Sequence, residues 1–133
     1  MTYLLHRKGS PLALRIRGKW TGMLDETMVS WTSEMGRTPF AQGSGEIAKL
    51  GRNHNQYGMV SWMAGGGIKK GYVHGETDEI GYSALSGKAD TFDVQATILN
   101  QLGFDHARFT YDFQGRPFRL TDVKGTVIKE IIA

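Results

Sequence analysis

Tyr57-Gly58-Met59-Val60-Ser61-Trp62-Met63-Ala64 is apolar almost throughout, and its reading decides the fold. A strand with one wet face alternates polar and apolar residues, whereas a strand covered on both faces, as in a parallel sheet, does not. The run therefore reads as a buried strand of an α/β sheet, ended by Gly65-Gly66-Gly67. Downstream, residues 70–75 read as a short strand or turn and 76–89 as polar loop. The clearest helical pattern follows. Asp90 or Thr91 can cap it, Val94, Ile98 and Leu102 recur every four residues with Leu99 widening the stripe, and Gly103 stops it. Residues 109–113 and 116–120 form a hairpin pattern around Gln114-Gly115, the glycine supplying a positive φ. Pro117 has no N–H to give a ladder, so its strand should be an edge. Thr121-Asp122 can cap a last short helix, ending at residues 127–132.

Toward the amino terminus, residues 41–56 read as one long loop, of a length more often functional or mobile than structural. Residues 33–39 are polar, contain Gly36 and stop at Pro39; before them, residues 28–32 make a short β-favouring run that follows a polar turn at 24–27. A break near Trp20-Thr21-Gly22 separates a basic arm, 1–20, from a single α/β domain, 21–133. Strands mixed with helices, and apolar strands ending in polar loops, argue for that class. Alternation from Leu12 to Ile16 could make one exposed strand, or the arm could be disordered.

Composition narrows the function classes. The 133 residues are 40% hydrophobic and 22% charged, which suits one globular domain with one core. No run approaches the roughly 20 apolar residues that span a bilayer, so no membrane role is expected. The chain has no cysteine, which excludes disulfide scaffolds, zinc ribbons and thiol nucleophiles. The net charge of +3 hints at nucleic acid, but Arg7, Lys8, Arg15, Arg17 and Lys19 crowd the arm, and the remainder has more acids than bases. A nucleic-acid domain carries its basic stripe on the folded body among stacking aromatics, so this distribution argues against such a partner. The arm also lacks the uninterrupted apolar core, roughly 7–15 residues, of a secretory signal, so the chain as given reads as cytoplasmic.

Two polar stretches carry the chemistry. The first offers Glu34, Arg37 and Thr38; the second offers Arg52, Asn53, His54 and Asn55. In open α/β sheets, ligands bind outside the carboxyl ends of the strands. A carboxylate and an imidazole can bind a divalent metal, and a guanidinium can grip an anionic ester bidentately. Glu76-Thr77-Asp78-Glu79 places three acids in four positions, which usually makes a solvated loop but can serve a metal. The glycine stretch at 64–71 fails the phosphate-loop spacing, because Tyr72 stands where a lysine is needed. No Gly-x-Ser-x-Gly elbow is present. His74 and His106 read as structural.

Five blocks in order resemble a known family: residues 33–39; Gly51-Arg52-Asn53-His54-Asn55; residues 63–69 with Gly75-x-Thr77-Asp78; residues 93–99 with Leu102-Gly103; and Phe113-Gln114-Gly115-Arg116 through Leu120-Thr121-Asp122-Val123. Together they resemble the carboxyl-terminal portion of the bacterial sulfatase-like family called domain of unknown function 1501, over roughly residues 22–133. That family looks like a branch of the alkaline phosphatase superfamily. The resemblance implies a partial α/β/α sandwich with metal ligands on loops at strand ends. It places Glu34 where an Asp-His pair begins in the catalytic relatives and His54 where a later metal-binding His lies. Met35 stands where the second ligand of the pair belongs, and a thioether is a poor ligand for hard divalent ions. Family members are several times longer, often begin with an export signal to the periplasm, and carry the nucleophile and other ligands in a preceding portion.

The expectation is a piece of a metal-dependent hydrolase of sulfate or phosphate esters, with no catalytic residue of its own and inactive alone. Glu34 and His54 would bind zinc, calcium or manganese. Arg37, Arg52, Asn55 and Asp78 would contact the substrate, an anionic small molecule or glycan ester. The rival expectation is a non-catalytic binding or assembly module, associating with copies of itself through an uncovered sheet edge. Both depend on one geometric condition: that the polar stretch after Trp31 and the one before Tyr57 lie side by side on one sheet rim.

Overall fold

The computed structural model describes residues 22–47 and 50–133. The basic arm, the alternation at 12–16 and two positions of the 45–50 loop lie outside the described residues. A single helical turn, α1 (Met23–Glu26), leads into β1 (Val29–Trp31), β2 (Gly36–Gln42), β3 (Gly51–Asn55) and β4 (Trp62–Ala64). Two short strands, β5 (Glu76–Thr77) and β6 (Ala84–Ser86), precede the long helix α2 (Thr91–Gln101). β7 (Thr110–Phe113), β8 (Arg116–Arg119) and a 3-10 turn (Lys129–Ile131) complete the order.

The α/β expectation, with its partial alkaline-phosphatase-like α/β/α sandwich, is overturned. Every named strand pairs with one partner, antiparallel, in four separate pairs: β1–β4, β2–β3, β5–β6 and β7–β8. The run at 57–64 contributes only Trp62–Ala64 to a strand, half-buried and paired with β1. Its opening residue is bonded away from that ladder. Tyr57 donates its N–H to Asn55 Oδ1 and accepts at its carbonyl from Ala84. The supposed long loop at 41–56 instead contains β3, which pairs with β2 in a hairpin.

Pro39 does not stop β2; it sits where the register slips. Arg37 pairs with His54 and Ala41 with Arg52, so the residues between are bulged against Asn53. A bulge is where a strand tolerates a proline. The ladder bond is replaced by a side chain: buried Thr38 accepts the Asn53 N–H at 3.1 Å and donates its own proton to the Phe40 carbonyl at 3.0 Å.

The helix forms where its cap predicts. Asp90 accepts from the Phe92 N–H, and the Asp93 carboxylate reaches back to the Asp90 N–H, a complete capping box. The expected stripe is buried only in part: Val94 and Ile98 are half-buried and Leu102 is 63% exposed, while the fully buried positions are Ala96 and Thr97 beside it. The segment that packs there brings unpaired N–H groups, so polar side chains face it. Thr97 Oγ1 accepts from Ile128 N at 2.9 Å and Asp93 Oδ1 from Thr126 N at 2.7 Å. Gly125 is required at this crossing, since a Cβ there would lie 2.9 Å from the Phe92 carbonyl oxygen. The end of the chain returns to the glycine turn at 65–67, where Ala133 N donates to Gly67 O and Lys69 N to Ile131 O. The last short helix is therefore only the 3-10 turn.

The hairpin β7–β8 forms in the expected place, with Tyr111 opposite Phe118 and Asp112 opposite Pro117. Both turn residues, Gln114 and Gly115, take positive φ, as a type I′ turn demands.

Candidate functional site

Glu34 stands on the turn between β1 and β2. That turn is fixed at two points: Ser33 Oγ donates to the Met35 carbonyl at 2.6 Å, and Thr32 Oγ1 lies 3.1 Å from Ser61 Oγ. The second contact ties the end of β1 to the approach of β4, its ladder partner. Arg37 and His54 face each other across the β2–β3 ladder. Residues directly opposite in an antiparallel pair point to the same face.

The three side chains converge. Glu34 Oε1 lies 3.8 Å from His54 Nε2 and 3.6 Å from Arg37 Nη2. Their side chains are 66%, 54% and 45% exposed for Glu34, His54 and Arg37. Pairs this open to water contribute well under about 1 kcal/mol each, so the cluster is accessible to a ligand and not locked. The required closeness of Glu34 and His54 is present, but on a hairpin face and its adjoining turn; no multi-stranded rim carries it. A shallow cleft of about 100 Å³ opens beside Glu34, between Thr32-Ser33 and the first turns of α2 at Thr91 and Gln95.

The other named residues divide. Arg52 is exposed and lies two positions from His54 on β3, opposite Ala41, hence on the same face as the cluster. Asn55 is buried and both ends of its amide are engaged: Nδ2 donates to the Tyr82 carbonyl at 2.7 Å and Oδ1 accepts from Tyr57 N. Asp78 is committed too, its two oxygens accepting from Tyr82 N at 2.7 Å and Ser83 N at 2.9 Å. These two residues build a loop. His106 bonds through Nδ1 to buried Thr121 Oγ1 at 2.9 Å, in keeping with its structural reading.

An imidazole and a carboxylate are donors of a kind that suits zinc or manganese better than calcium, which prefers oxygen alone. Two donors are nevertheless half of the four that zinc takes. Among the described residues no group of three or more His, Asp or Glu side chains is placed to hold an ion. Glu34 and His54 are thus a pair of donors and no more, and Arg37 competes for the same carboxylate oxygen. Gln56, Tyr57, Ser83 and Lys88 line a second cleft; none of them carries a motif in the sequence, and only the fold brings them together.

Among the described residues no helix is long and apolar enough to cross a membrane. No curated protein and no solved structure matches the chain. The family model described as Protein of unknown function (DUF1501) matches residues 16–132, nearly the whole chain, which therefore belongs to that family.

Proposed function

We propose that this chain supplies one side of a metal-dependent site for sulfate or phosphate esters in a sulfatase-like protein of the alkaline phosphatase superfamily, and that alone it has no turnover. The supporting observation is the convergence of Glu34 Oε1 on His54 Nε2 at 3.8 Å, two residues twenty apart in sequence that the resemblance places among the metal ligands. Arg37, on the same face, meets the negative charge of the ester, and Arg52 adds positive potential along the strand. The cleft between Thr32-Ser33 and α2 leaves room beside Glu34 for the alcohol moiety of the substrate. A bound zinc or manganese ion would supply polarisation of the ester oxygen and a lowered pKa for the attacking group.

The test has two readings. Hydrolysis of aryl sulfate and aryl phosphate with added zinc, calcium or manganese should stay at the blank rate; turnover lost in His54→Ala would overturn the claim of inactivity. Zinc titration followed by the ¹⁵N signals of the His54 ring should give a saturable shift that Glu34→Gln weakens at least about tenfold, since losing a ligand costs no less than losing a group that merely orients one. A His54 ring that ignores zinc would end the metal assignment. The alternative, a binding or assembly module without catalysis, is favoured by one observation: Asn55 and Asp78, two of the four expected substrate contacts, are consumed by the loop.

A further inference from the structure

A second cleft, of about 220 Å³, lies between the end of β3 and the loop joining β5 to β6, lined by Gln56, Tyr57, Ser83, Ala84 and Lys88. We propose that it binds a sugar ring carrying one anionic group, the ring stacked on Tyr57 and the anion on Lys88.

Both walls are built before any ligand arrives. Asn55 holds them together, accepting from Tyr57 on one wall and donating to Tyr82 on the other. Ala84 N adds a bond to the Tyr57 carbonyl at 3.0 Å. Asp78 closes the loop by taking the N–H groups of Tyr82 and Ser83. Gly58 lets the backbones approach, since a Cβ there would lie 2.7 Å from the Gly81 carbonyl oxygen. Preformed walls spare a ligand the cost of ordering them.

The lining then selects the ligand. Tyr57 is 59% exposed and has no aromatic partner among the described residues, so a ring face is open for stacking. Lys88 is exposed and forms no ion pair among the described residues. Ser83 offers a hydroxyl and Gln56 an amide, groups that read hydroxyls. An apolar ligand would leave the ammonium, hydroxyl and amide without partners, and a bare inorganic anion would leave the ring face unused. A sugar with a sulfate, phosphate or carboxylate uses all four. The volume admits one ring, below the roughly 300 Å³ at which drug-sized pockets begin. The assignment is independent of the ester-hydrolysis reading, because none of its residues belongs to the Glu34 cluster.

The full chain is titrated with glucose 6-sulfate, glucose 6-phosphate, glucuronate and glucose while the backbone amide signals of Gln56, Ser83 and Lys88 are followed. The three anionic sugars should give saturable shifts with Kd on the order of millimolar, and glucose should bind at least about tenfold more weakly. Lys88→Gln, an exposed change that leaves the walls intact, should remove the difference between charged and neutral sugar. Tyr57→Phe should retain binding and Tyr57→Ala lose it. The proposal is overturned if no anionic sugar saturates the shifts by about 50 mM, well above a millimolar Kd. It is equally overturned if glucose or inorganic sulfate binds as tightly as the anionic sugars.

Discussion

Thr38 and Asn55 show how single polar side chains replace what the short ladders cannot supply. Each is buried and each bonds a backbone N–H that would otherwise have no acceptor. Removing such a partner costs the desolvation of the orphaned group, about 1–3 kcal/mol. Thr38→Val should therefore lower stability to urea by an amount in that range, while Thr38→Ser should restore most of it; equal stability of the valine variant would show that the bulge does not need the hydroxyl. Asn55→Ala should cost at least as much, because it frees both Tyr57 N and the Tyr82 carbonyl. The resemblance offered Asn55 and Asp78 as substrate contacts, and amides and carboxylates are groups that ligands use. They are also the groups that loops use. Which applies depends on what lies across the fold: Asn55 meets Tyr82, 27 residues away, and no local pattern announces that pairing.

Elements were legible where local chemistry alone sets them. The capping box and Gly103 delimit α2, and Gln114-Gly115 fixes the register of β7–β8. They were not legible where long-range bonds decide. β3 is polar, Gly-Arg-Asn-His-Asn, and has no β-favouring composition; pairing with β2 makes it a strand. The run at 57–64 has the composition of a buried strand, yet its opening residue spends its backbone bonds on a loop. The cap of α2 makes a prediction about acid. Hydrogen bonds from Phe92 N and Thr91 stabilise the ionised Asp90 carboxylate and hold its pKa below the ordinary 3.8. A depressed carboxylate adds stability that is complete above the unfolded value and is lost as pH falls through the folded one. Asp90→Asn keeps the capping oxygen and removes the titration, and the two residues cap about equally well. The stability gap between the two proteins should thus be constant above about pH 5 and should shift in favour of the asparagine variant below about pH 3.8. Urea midpoints measured across that range test it; parallel curves down to about pH 2 would refute the linkage.

At the scale of the molecule the balance of burial is unusual. Among the described residues only Ile68 and Ala96 are buried apolar side chains, while Trp31, Phe40, Phe104, Phe109, Tyr111 and Phe113 are exposed. Where such side chains adjoin, they mark a surface that associates. Among the described residues each ladder has two strands and no third, and an uncovered edge is a template for another strand. The terminal hairpin combines the two features: Tyr111, Phe113 and Phe118 share one face, with the Arg116 guanidinium 5.3 Å from the Phe118 ring centroid. The prediction is self-association through this hairpin: light scattering should show an average mass that rises with protein concentration. A double change, Tyr111→Lys with Phe113→Lys, puts charge on that edge and should return the chain to monomer mass while leaving α2 and its circular dichroism intact. A wild-type chain that stays monomeric over a hundredfold range of concentration, on the order of 1 to 100 μM, would remove the argument, since association with a micromolar Kd must appear within it.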